Sequence, residues 1–153
     1  MAITRAICIS FKQELLGAVH DMDTHTLKLA LIKSGMSGTY NAATTNYSDV
    51  TGNSDEATGT NYSAGGQNLD SAAISADGTT AIVDFADEVF SNVTTSAAGC
   101  IIYNSSASNK AICVIDFAGT VSATEGDLTI EFPAAGARTA VLRIAYQLSF
   151  YDS

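Results

Sequence analysis

The sequence predicts a mostly β domain, an antiparallel and jelly-roll-like sandwich with one short N-terminal helix and a long polar loop. Three observations carry this. Apolar residues recur at period two near the C-terminal end, where Leu142, Ile144, Tyr146, Leu148 and Phe150 alternate with Val141, Arg143, Ala145, Gln147 and Ser149, the signature of a strand with one buried face. Turn signals punctuate the second half every ten residues or so, as in sandwiches. The 153 residues form a chain of single-domain size, which buries roughly two-thirds of its unfolded surface.

The elements follow in chain order. Ile3, Ile7 and Ile9 form a short apolar lead-in, and Ser10 with Gln13 has the spacing of a capping box. Phe11, Leu15, Leu16 and Val19 then share a helical stripe, which predicts a helix over 11–20 within an N-terminal region of 1–25. From Thr26 the period changes: Leu27, Leu29 and Leu31 alternate with Lys28, Ala30 and Ile32, as in a strand stopped by Gly35 and Gly38. Residues 34–66 hold six glycines, many Ser, Thr and Asn, and the aromatics Tyr40, Tyr47 and Tyr62. That composition predicts a long loop that orders on contact with a partner. Leu69–Ser75 runs into Asp77-Gly78, a hairpin signal. Thr79–Phe85 follows, with Ala81, Val83 and Phe85 on one face. Further strands are expected at Glu88–Ser91, Ala98–Tyr103, Ala111–Phe117 and Asp127–Phe132, with a Ser/Asn turn at 105–109 and Pro133 as a stop. The last strand, Thr139–Tyr151, would span roughly 40 Å.

Composition narrows function. Seven basic residues oppose 16 acidic ones, for a net charge of −9. No Lys or Arg lies between Lys33 and Lys110, where Asp49, Asp55, Glu56, Asp70, Asp77, Asp84, Asp87 and Glu88 fall. Phosphate neutralisation needs a basic stripe, so nucleic acid is not an expected partner. The acidic region reads as a solvated face or one that meets a basic partner. The N-terminal apolar run is broken by Lys12, Gln13 and Glu14, unlike a secretory signal, and no stretch has membrane-spanning length. A soluble protein made in a cytoplasm is expected.

Chemistry-bearing motifs are sparse. His20, Asp21, Asp23 and His25 could ligate a transition metal, but no second segment offers a further ligand, and no metal or cofactor is expected. Gly35-Met36-Ser37-Gly38 lacks nucleophile-elbow spacing, no Walker lysine follows a glycine run, and nothing brings Asp84 to Asp116 as a glycosidase pair would require. No enzymatic activity is expected. Cys8, Cys100 and Cys113 form neither a disulfide framework nor a zinc motif. A four-residue hairpin loop over 105–108 would set Cys100 opposite Cys113, where two buried thiols are expected. The sequons at Asn46, Asn61, Asn92 and Asn104 follow from composition.

Several motifs nevertheless occur together in order. Met1-Ala-Ile-Thr-Arg-Ala-Ile-Cys-Ile-Ser-Phe-Lys-Gln-Glu-Leu-Leu16 leads into Thr26-Leu-Lys-Leu-Ala-Leu-Ile32. Gly59-Thr-Asn-Tyr-Ser-Ala-Gly-Gly66, Asp84-Phe-Ala86, Ile101-Ile-Tyr-Asn-Ser-Ser106 and Lys110-Ala-Ile-Cys-Val-Ile-Asp-Phe117 follow. Together they resemble a family of small virion structural proteins of tailed bacteriophages, head decoration (cement) proteins among them. The resemblance implies a place in the virion, homo-oligomers, and the major capsid protein or other virion proteins as partners. It transfers no site residue. On this reading Ile3, Arg5, Ile7 and Ile9 of the lead-in and Tyr40, Tyr47 and Tyr62 of the loop are expected to make intersubunit contacts, since a compact core does not obviously need them. A tail, collar or baseplate component is the alternative. A carbohydrate-binding module stacking sugars on the three tyrosines is another, weakened by the absence of tryptophan.

Overall fold

The computed structural model describes residues 1–70, 72–136 and 138–145. The chain is mostly β and antiparallel, as expected, with a short N-terminal helix. In order come β1 (Ala2–Ile3), β2 (Ala6–Ile7), α1 (Ile9–Leu16), β3 (Leu27–Ile32), β4 (Thr39–Tyr40) and α2 (Ser48–Gly52). Then follow β5 (Gly59–Thr60), β6 (Gln67–Asn68), β7 (Ala73–Asp77), β8 (Thr80–Asp84), β9 (Glu88–Asn104), β10 (Lys110–Ile130) and β11 (Leu142–Ile144).

A six-stranded sheet has the order β2-β10-β9-β3-β6, with β5 added to β9, and a three-stranded sheet has the order β11-β8-β7. One core joins them: Leu142 and Phe85 pack with Leu29, Leu31, Phe90, Ile101 and Val114. β1 and β4 form a parallel pair.

The expected pairs of short strands on either side of 105–109 are instead two long ones. β9 has 17 residues and β10 has 21, so β9 alone extends for about 55 Å. The reason is local: β10 absorbs its Gly-rich middle as bulges between Asp116 and Val121 and around Gly126 rather than leaving the sheet. Ala118, Asn92 and Glu125 take φ of 57°, 52° and 48° there. Each of their N–H groups has a side-chain acceptor, Asp116 Oδ1, Asp127 Oδ1 and Thr94 Oγ1 respectively, which stabilises the bulges.

The tip loop has five residues, and a further bulge falls between Ala111 and Cys113. Cys113 therefore faces Ile102, and Cys100 faces Ile115. The direct Cys100–Cys113 opposition does not form; all three cysteines are buried free thiols, and burial pushes the Cys8 thiol up to about 12.

α1 begins and ends earlier than its periodicity suggested. Cys8 N–H bonds to Ile112 O, carrying the β2–β10 pairing to the residue before the helix. Cys8 is thus the N-cap, and the Ser10–Gln13 capping box is not made. Ser10 sits inside the helix with its hydroxyl unsatisfied. At the other end Ala18 N–H bonds to Leu15 O and Val19 N–H to Glu14 O, a Schellman closure with Ala18 at φ 57°. Leu16, expected in the buried stripe, is 91% exposed.

β3 lies between β9 and β6 in the sheet and is buried on both faces, Ala30 and Ile32 being as inaccessible as Leu29 and Leu31. On β8 Thr80 and Ile82 are buried, with Ala81 exposed and Val83 half-buried, opposite in phase to expectation, while Phe85 just beyond the strand is buried as expected. The C-terminal strand begins at Leu142 rather than Thr139; Leu142 is buried but Ile144 is 60% exposed. Residues 146–151 of that expected strand lie outside the described residues.

Candidate functional site

The lead-in is part of the fold. Ile3 and Cys8 belong to the core. Thr4 N–H bonds to Tyr40 O, Ile9 N–H bonds to Ala42 O, and β2 pairs with β10. Of the four lead-in residues expected at contacts, the core takes Ile3. Ile7 is half-buried, and Arg5 and Ile9 remain exposed.

Segment 34–66 is likewise organised, around two carboxylates that the sequence placed on an acidic face. Asp55 is fully buried. Its oxygens accept the Tyr40 hydroxyl at 2.6 Å and the N–H groups of Ser37 and Gly38 at 2.9 and 2.7 Å, with Lys33 Nζ at 3.5 Å. Burial pushes this carboxyl up, yet the Tyr40 hydroxyl and the two N–H groups outweigh burial and hold it at about 2. Next to it, Glu56 accepts the hydroxyls of Tyr47 and Tyr62 and the N–H of Gly65. Burial, then the Glu56 carboxylate, pushes the Tyr47 and Tyr62 phenols up.

The three tyrosines thus point inward. Tyr40 is 1% exposed, Tyr47 stacks on Tyr103 at 4.4 Å, and Tyr62 lies against Phe90 at 5.6 Å. Their rings pack against the core and their hydroxyls serve the carboxylates, with Tyr47 and Tyr62 half-buried. Gly66 lets the segment dock: at φ 69° a Cβ there would fall 1.8 Å from Leu29 O.

The two histidines converge on the β9–β10 tip. Asn104 is fully buried, and its Oδ1 accepts Ala107 N–H, which fixes the amide orientation. Nδ2 then meets Nδ1 of His20 at 3.0 Å and of His25 at 2.9 Å. Both imidazoles therefore accept at Nδ1 and carry hydrogen at Nε2, and His20 Nε2–H donates to Glu14 Oε2 at 2.9 Å. Lys110 completes the chain at Glu14 Oε1, 2.6 Å away. Asp21 is used locally, accepting from Asp23 and Thr24. The arrangement is a hydrogen-bonded clasp, and among the described residues no group of His, Cys, Asp and Glu has metal-site geometry. Asn104 also carries a sequon that burial closes to modification.

The surface that sequence reasoning missed is apolar. A groove of about 580 Å³ separates α1 from β8 and β11, lined by Phe11, Leu15, Met22 and Ile82 among others. Its rim carries Leu16, Ile74 and Ile144, exposed by 91, 56 and 60%. Leu16 could have given it away, since Gly17-Ala18 ends the helix beside it. Among the described residues no helix is long and apolar enough to cross a membrane. No family model matches the chain, and neither the curated proteins nor the solved structures compared with it contain a match.

Proposed function

We propose that this chain is a non-enzymatic structural protein of a tailed-phage virion, a decoration (cement) protein that binds the major capsid lattice as a homo-oligomer. The observation that carries the assembly part of this reading is the apolar groove between α1 and β8–β11, with Leu16, Ile74 and Ile144 open at its rim. A contiguous apolar patch on a soluble domain marks a contact surface. The ordered resemblance of motifs from Met1 to Phe117 supplies the virion context. With the tyrosines of residues 34–66 turned inward, the groove is the contact surface on this reading, with Arg5 and Ile9 also exposed.

Quantitative proteomics of purified parent virions tests the reading. Copy number near that of the major capsid protein is the expected result. A few copies per particle would move the chain to the tail, collar or baseplate, and none would overturn the virion assignment.

A further inference from the structure

The chain has three arginines, Arg5, Arg138 and Arg143, and all three line one groove of about 560 Å³. They come from opposite ends of the sequence, so the fold creates the convergence. Arg5 precedes edge strand β2, Arg138 lies before β11, and Arg143 lies within it. Below them the groove is apolar, with Ile115, Phe117, Val121, Leu128, Phe132 and Val141 in its lining. Glu131 is the one acidic residue there.

These guanidinium groups are under-used. Arg143 donates to the Arg138 carbonyl, and among the described residues no carboxylate forms a salt bridge with any of the three. In a chain with 16 acidic side chains and a net charge of −9, three guanidinium groups with no carboxylate partner among the described residues form a local positive site in a negative field. Arginine matches carboxylates by its planar fork, and it is enriched at protein interfaces. Backbone is also on offer, since β10 pairs with β2 only at Cys113 and Val114. Among the described residues no strand covers that edge of β10 from Ile115 onward, and an open edge accepts an extended segment.

We propose that this groove docks an extended segment of a partner protein in which carboxylates alternate with large apolar side chains. The carboxylates pair with Arg5, Arg138 and Arg143, and the apolar side chains fill the floor beside Phe117 and Phe132. The proposal is independent of any place in a virion. A polyanion is repelled by most of this surface, so saturable binding of an acidic peptide reports on the groove itself.

The probe is a fluorescein-labelled peptide of about a dozen residues that alternates Glu with Leu and Phe, followed by anisotropy in low salt. It is expected to bind roughly tenfold or more tighter than the same peptide with Lys for Glu or Ser for Leu and Phe. Arg5→Ser/Arg138→Ser/Arg143→Ser is expected to lose that binding at an unchanged thermal midpoint, while Lys12→Ser/Lys28→Ser keeps it. Should the triple variant fail to fold, Arg138→Lys, which keeps charge but loses the fork, is expected to weaken binding by itself. No saturable binding of the acidic peptide, or equal binding by the folded triple variant, overturns the proposal. Tighter binding of a single-stranded oligonucleotide also overturns it. So does conversion of an oligomer to monomer by the arginine substitutions without peptide binding, which would assign the groove to a second copy.

Discussion

Asp55 stays ionised although no part of its side chain reaches solvent, because each oxygen is met by donors that replace water. The Tyr40 hydroxyl and two N–H groups face a charge, and such bonds contribute more than neutral ones. Asp55→Asn sets an amide N–H₂ against some of those donors and is expected to cost on the order of 3 kcal/mol in chemical denaturation. The pH dependence has a definite sign. Folding lowers this carboxyl from near 4 to about 2, so its contribution is complete above about pH 4 and is lost as pH falls towards 2. The wild-type thermal midpoint is expected to fall more steeply across that window than that of Asp55→Asn, and parallel curves would refute the assignment. At the β9–β10 tip the prediction is spectroscopic. At neutral pH, long-range ¹H–¹⁵N correlation spectra are expected to show His20 and His25 as Nε2–H tautomers, the only form in which one Asn104 amide serves both. Neither network was legible in the sequence. Composition marks Tyr, Asp and Glu as polar, and only the docking of residues 34–66 on β3 and β9 turns them into donors and acceptors for one another.

Elements reveal a different balance between local signal and tertiary context. The Schellman closure of α1 places Ala18 at φ 57°, with Gly17 one position before the left-handed site. Ala18→Gly is expected to raise stability by about 1 kcal/mol, read as a higher denaturation midpoint, because glycine adopts that conformation without the Cβ penalty. No gain would mean that α1 ends elsewhere. β3, the Asp77-Gly78 hairpin and the 105–109 turn were legible because each is fixed by neighbours in sequence: a short apolar run, an Asp-Gly pair, a Ser/Asn cluster. The joining of four short strands into β9 and β10 was not. Residues such as Gly119 and Gly126 read as breaks, yet a bulge keeps them in the ladder once side chains like Asp116 and Asp127 cap the displaced N–H groups. The capping box failed for a related reason, since β2–β10 pairing decides where α1 begins.

On the scale of the whole molecule, the surface divides between an apolar groove beside α1 and an arginine-lined one beside β10, which share Ile7 and Arg143. If the apolar groove holds subunits together, Leu16→Glu with Ile144→Glu is expected to lower the sedimentation coefficient to that of a monomer. The thermal midpoint should hardly move, since both side chains are already exposed. A monomeric wild-type protein at high concentration would refute this. The overall β architecture could be read from period and turn spacing, but this partition could not, because it depends on strands far apart in sequence. That separation bears on biosynthesis. β2 pairs with Cys113 and Val114, and β3 pairs with Gly99–Asn104. On a ribosome adding about 5–20 residues per second, roughly a hundred residues separate β2 from its partner, a delay of some five to twenty seconds. Leu27–Ile32 waits about seventy residues for Gly99–Asn104, a delay of roughly four to fourteen seconds, and until then only the short β6 is on hand to pair with it.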